Sequence, residues 1–168
     1  ADAALGQGVQ VDICVPVFSP RHGNTTTVEI QGAHRQLHVA LAVAKDGSVY
    51  LGTEEGLGNV LPLLRRITPT GFLTTIAGGL PGLAVDGSGA EARLNRPRAL
   101  TQAADGSFLF ADGTAVRRVT SDGVVSTIAG SLTEGGNVDT PAGVAVPNPR
   151  DARFARLDGL ALGADGTI

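Results

Sequence analysis

At 168 residues the chain has the length of one ordinary domain, and a hydrophobic share of 42% is enough for a core, which excludes disorder of the whole chain. The formal net charge of −3 weighs against a nucleic-acid partner, whose footprint is normally basic, and no apolar run reaches the ~18 residues of a membrane helix. Charged residues are 17% and glycines number 24, which signals many turns between short elements.

The first stretch, 1–36, carries no repeat, although 9–17 and 25–30 are strand-like and 33–41 echoes 92–100 at an offset of 59. It contains the single cysteine, Cys14, so no internal disulfide can form. Cys14 sits among Val11, Ile13, Val15 and Val17 and reads as a small core residue rather than a nucleophile. His22, His34 and His38 are the natural metal suspects. His34 and His38 are four apart on the approach to a strand, which sets them ~13 Å apart, too far for one metal. They read as surface or turn histidines, and neither a metal nor another cofactor is expected.

From residue 37 onward the chain repeats itself. Arg65-Arg66-Ile67-Thr68 through Thr75-Ile76-Ala77-Gly78 returns as Arg117-Arg118-Val119-Thr120 through Thr127-Ile128-Ala129-Gly130, at an ungapped offset of 117 − 65 = 52. An Asp-Gly turn between apolar runs occurs at Asp46-Gly47, Asp105-Gly106 and Asp165-Gly166, offset by 105 − 46 = 59 and 165 − 105 = 60. Within one unit the strands read as 100–103, 107–111, 115–120 and 124–128, with turns at Asp105-Gly106, Asp112-Gly113 and Ser121-Asp122-Gly123. A turn of helix is expected near 90–94. Four short strands per unit at this period predict an all-β, partial β-propeller of four-stranded antiparallel blades. A β-sandwich is the competing arrangement, but it does not repeat its strands in sequence. The predicted organisation is 1–36 as a strand-rich segment, 37–79 and 80–130 as blades, and 131–168 as a long link and the start of a further blade.

The order Thr75-Ile76-Ala77-Gly78, Asp86-Gly87-Ser88-Gly89-Ala90-Glu91-Ala92-Arg93-Leu94-Asn95-Arg96-Pro97, Asp105-Gly106-Ser107 and Arg117-Arg118-Val119 resembles NHL repeats, especially those of large bacterial Rhs-type surface proteins and their teneurin relatives. The resemblance covers roughly 37–168 and is strongest over 65–130. It implies a ring of about six blades, within the usual four to eight. Two complete blades and pieces of others fall short of that, so the chain is expected to be a fragment or an assembling subunit and unstable alone. The first blade departs from the pattern. It carries extra residues at 56–61, and Gly52-Thr53-Glu54-Glu55 stands where the family has Ala-Asp and an Asn-rich turn.

Catalytic signatures are absent from the sequence. The Asp-Gly turns lack the oxygen-rich loop of a calcium site, and the glycines of 78–89 are not followed by the Lys-Ser/Thr of a phosphate loop. The paired arginines, Arg65-Arg66 and Arg117-Arg118, are expected to serve as hydrogen-bond donors between blades. No catalytic, cofactor or metal residue is assigned. The expected role is a non-catalytic interaction or scaffold module of a larger extracellular or toxin-delivery protein. Its partners would be the remaining blades or another chain, with a protein or glycan ligand. Alternatives are a propeller hydrolase or lyase completed by other blades, and a nucleic-acid-binding NHL module.

Overall fold

The computed structural model describes residues 11–13, 28–30, 40–55, 61–139 and 148–168. It divides into two compact units, Ala1–Gln36 and Leu37–Ile168. In the first, β1 (Val11–Ile13) pairs antiparallel with β2 (Val28–Ile30), Val11 opposite Ile30. Both strands fall inside the stretches that read as strand-like. Cys14, His22, His34 and His38 lie outside the described residues.

The second unit holds two antiparallel sheets. The first is a meander of β3 (Ala40–Val43), β4 (Val49–Glu55), β5 (Leu61–Ile67) and β6 (Leu73–Gly78) in that spatial order. A link then carries the two-residue strand β7 (Gly87–Ser88) and a 3₁₀ turn at Gly89–Glu91, where a turn of helix was expected. The second meander follows as β8 (Pro97–Gln102), β9 (Phe108–Asp112), β10 (Ala115–Val119) and β11 (Val124–Gly130). Its spatial order is β7-β11-β10-β9-β8, so the link adds a short fifth strand on the outside.

The sequence repeat is a structural repeat. In the first blade Leu63 faces Gly78, Leu64 faces Ala77, and after a bulge Arg65 faces Thr75. In the second, Ala115 faces Gly130, Val116 faces Ala129, and after a bulge Arg117 faces Thr127. Every pair differs by 52, and the bulge leaves Ile76 and Ile128 as the extra residues. The turn at Asp46-Gly47 is closed by Ala44 and Ser48 bonding across it. Ala103 with Ser107, and Gly163 with Thr167, do the same at the other two. Each of these glycines has φ above +80°, a region in which a side chain is strained and glycine is not.

The extra residues of the first blade lengthen a hairpin rather than interrupt a strand. Thr53–Leu63 is the pair equivalent to Asp112–Ala115. Beyond it the second blade turns back through Gly113 and Thr114, whereas the first adds Glu54–Pro62 and Glu55–Leu61 before its loop. The insertion therefore amounts to 59 − 52 = 7 residues and begins at the strands, not at Gly56.

Packing joins the two blades. All five residues of β9 are buried, as befits a strand covered on both faces. Phe108 stacks on Tyr50 of the first blade with ring centroids 3.9 Å apart. Gly52 admits β8 closely, since a Cβ there would lie 2.8 Å from the Pro97 carbonyl oxygen. Leu94 of the link caps the end of β6, 2.9 Å from where a Cβ of Gly78 would stand. Phe154 of the next link does the same at Gly130, at 2.8 Å. That next link also repeats the Val85–Arg93 bridge as Val138–Arg153 and the 3₁₀ turn as Pro149–Asp151. Over 157–168 the third Asp-Gly turn is formed but no strand flanks it. The turn needs only contacts within five residues, whereas a strand needs a neighbour.

Candidate functional site: the arginine and carboxylate clusters

The densest polar cluster lies where the link meets the second blade. β10 alternates, so Arg117 points inward and Arg118 outward. The Arg117 side chain is fully buried, as is that of Asp112 at the end of β9. Arg117 Nη1 donates to Asp112 Oδ2 at 2.7 Å and to the Arg93 carbonyl oxygen at 2.9 Å. Nη2 donates to the Val85 carbonyl oxygen at 2.8 Å and to Asp86 Oδ1 at 3.1 Å. The second oxygen of Asp112 accepts from the backbone N–H of Asn95 at 2.9 Å and of Arg96 at 2.6 Å. Asp86 also accepts from the N–H and hydroxyl of Thr127, each at 2.9 Å. A planar guanidinium with a fixed fork of donors suits this role, and lysine would not reach as many acceptors. The cluster clamps the link at 85–96 onto β9, β10 and β11.

A second arrangement recurs on the outward faces. Arg66 Nε donates to Ser48 Oγ at 3.1 Å, and Nη2 donates to Asp46 Oδ2 at 2.9 Å. Arg118 Nε donates to Ser107 Oγ at 2.9 Å and pairs with Asp105. Both arginines thus hold the Asp-Gly turn of their own sheet. The Ser48 backbone N–H, with the Ser48 hydroxyl and Arg66, holds the Asp46 carboxyl below the usual carboxylate range. The Ser107 hydroxyl and N–H, with Arg118, lower Asp105 likewise. Thr167 lowers Asp165 through its N–H and hydroxyl.

Arg66, Arg117 and Arg118 do not make the bonds between blades that were expected of them. Arg66 and Arg118 act inside one blade, because an outward side chain on the third strand lies beside the turn joining the first two. Arg117 binds the link instead of a neighbouring sheet. The bonds that do join blades come from elsewhere. Gln102 Oε1 accepts from the Lys45 backbone N–H at 3.0 Å, and Arg98 pairs with Asp158 at 3.3 Å. Sequence reasoning missed Asp86 and Asp112. The signal lay in the absence of Ala-Asp from the first blade. Thr53 stands at the position of Asp112, buried, and its hydroxyl makes no hydrogen bond.

These clusters have the composition of a site and the chemistry of clamps. Both terminal nitrogens of Arg117 and both oxygens of Asp112 and Asp86 meet backbone or one another, and only the buried Nε of Arg117 makes no hydrogen bond. Among the described residues no group of three or more His, Cys, Asp or Glu could hold a metal ion. A groove of about 660 Å³ opens beside Ala129, Val138, Pro149 and Phe154. Among the described residues no helix is long and apolar enough to cross a membrane.

Known proteins agree with this geometry. The family model of the teneurin NHL domain matches residues 84–145, from the link through the second blade into the start of the next link. A Bacteroides thetaiotaomicron VPI-5482 crystal structure, a structural genomics protein of unknown function, superposes over 82% of the chain with a TM-score of 0.60 at 22% identity. A second structure from that organism, named as a candidate phosphatase, superposes over 83% with a TM-score of 0.55 at 25% identity. The chain spans only 34% and 33% of those two proteins. No curated protein matches the sequence. The chain carries NHL-like repeats folded as an all-β, partial β-propeller, and its second blade is similar to the teneurin NHL domain.

Proposed function

We propose that the chain is a non-catalytic interaction and scaffold module within a larger extracellular or toxin-delivery protein of the Rhs and teneurin kind. The observation that carries this reading is the consumption of the buried charge. Arg117, Asp112 and Asp86 have the density of an active centre, yet each bonds to the link or strands it secures. Its partners are then the remaining blades or another chain, with a protein or glycan as ligand.

The likeness to a candidate phosphatase favours a second reading, a hydrolase whose centre is completed by other blades. The test is made on the full-length protein. It should be labelled on intact cells by a membrane-impermeant biotinylating reagent, and it should not turn over p-nitrophenyl phosphate or simple lactones above a heat-denatured control. Labelling only after lysis overturns the extracellular assignment. Turnover at enzymatic rates overturns the non-catalytic one.

A further inference from the structure

The outer edges of the two blades are finished differently. On β11, Val124 pairs with Ser88 and Val125 with Gly87, and the Asp86 carboxylate takes both the N–H and the hydroxyl of Thr127. Subtracting 52 places Phe72, Leu73 and Thr75 at the equivalent positions on β6. The shared register and bulge put Thr75 at the place of Thr127, whose N–H donates outward to Asp86. Here β6 is the last strand of its sheet among the described residues. Leu73, Thr74 and Thr75 are exposed, and Phe72 is 72% exposed. Such an edge is a template for one more strand. At the offset of 59 the chain's own residues 27–29 read Thr-Val-Glu, with no acid in the place of Asp86.

We propose that the outer edge of β6 is a docking site for an extended acidic segment of another polypeptide, added as an antiparallel strand. Its carboxylate meets the N–H and hydroxyl of Thr75, and the next two residues pair with Leu73 and Phe72, as Asp86, Gly87 and Ser88 do on β11. The site deepens the reading of the chain as an interaction module, and it can fail while that reading stands, because binding to β6 is measured apart from surface exposure and turnover.

The probe is a fluorescein-labelled heptapeptide, Val-Asp-Gly-Ser-Gly-Ala-Glu, the sequence of 85–91, titrated into the full-length protein and followed by anisotropy. Saturable binding is expected, with the amides of 73–75 gaining protection from hydrogen exchange. Replacing the peptide's aspartate by asparagine should weaken binding by about tenfold, since a charge-assisted bond is lost. T75P removes the Thr75 N–H at an edge where proline is tolerated and should abolish binding. T75V keeps the N–H, loses the hydroxyl and should bind more weakly, with circular dichroism confirming that both variants fold. Absence of saturable binding up to millimolar peptide overturns the proposal. So does binding indifferent to T75P and to the asparagine peptide, or dimerisation of the protein through β6 that excludes the peptide.

Discussion

The two arginines of one dipeptide, Arg117 and Arg118, differ by a single step along β10 and by nearly everything else. Arg117 is enclosed with Asp112, so its removal strands a buried carboxylate, a loss of roughly 3–5 kcal/mol. Arg118 and Arg66 face solvent, where such pairs contribute about 0–1 kcal/mol. We therefore expect R117M to lower the urea midpoint severely and R66M to move it little, a contrast that equilibrium unfolding measures directly. The turn aspartates give a pH dependence of known sign. Asp46, Asp105 and Asp165 have folded pKa values below their ordinary one. Their stabilisation is present above about pH 3.9, the unfolded value, and is lost as pH falls below it through the folded values. Urea midpoints should drop between pH 5 and pH 3 by more than in D105N, and equal drops would contradict the assignment. The arginine pairs and the turns were legible from the sequence because both recur at fixed offsets. The partners of Arg117 were not, since Asp86 and Asp112 lie 31 and 5 residues away, Asp86 brought in by the folded link and Asp112 by the β9–β10 hairpin.

At the scale of the strand and the turn, conformation and space can be separated. Gly71 and Gly78 have nearly the same φ, +87° and +89°, but a Cβ on Gly71 meets nothing within 4 Å, whereas one on Gly78 would lie 2.4 Å from the Pro62 carbonyl oxygen. G71A should cost the left-handed penalty alone, roughly 1–2 kcal/mol. G78A should cost that plus an overpacking term of about 1–3 kcal/mol, and thermal melts of the two variants distinguish the terms. Ala99 presents the opposite case, a non-glycine at φ +48° where β8 bulges between Arg98 and Thr101. A99G should raise stability by roughly 0.5–1 kcal/mol, the relief of strain exceeding the entropy that glycine adds to the unfolded chain. Strand existence and order were readable because alternation and Asp-Gly punctuation are local properties. The pairing of Gly87-Ser88 with β11 was not, for two residues carry no periodicity and their place is set by Asp86 on Thr127.

Across the molecule, the second unit behaves as a stack whose blades share side chains. Phe108 belongs to the second blade and lies against Tyr50 of the first, so F108A should cost about 3–5 kcal/mol. It should also speed hydrogen exchange in β4 as well as in β9, and exchange confined to the second blade would show that the sheets unfold independently. Even this coupling is compatible with large local change. The β4–β5 hairpin runs seven residues past the point where its counterpart turns, yet the pairs below it keep the same register in both blades. Length added at that tip leaves the packed layers as they are. The two rungs Glu54–Pro62 and Glu55–Leu61 have no counterpart in the second blade, so the two blades present different surfaces there on a shared scaffold.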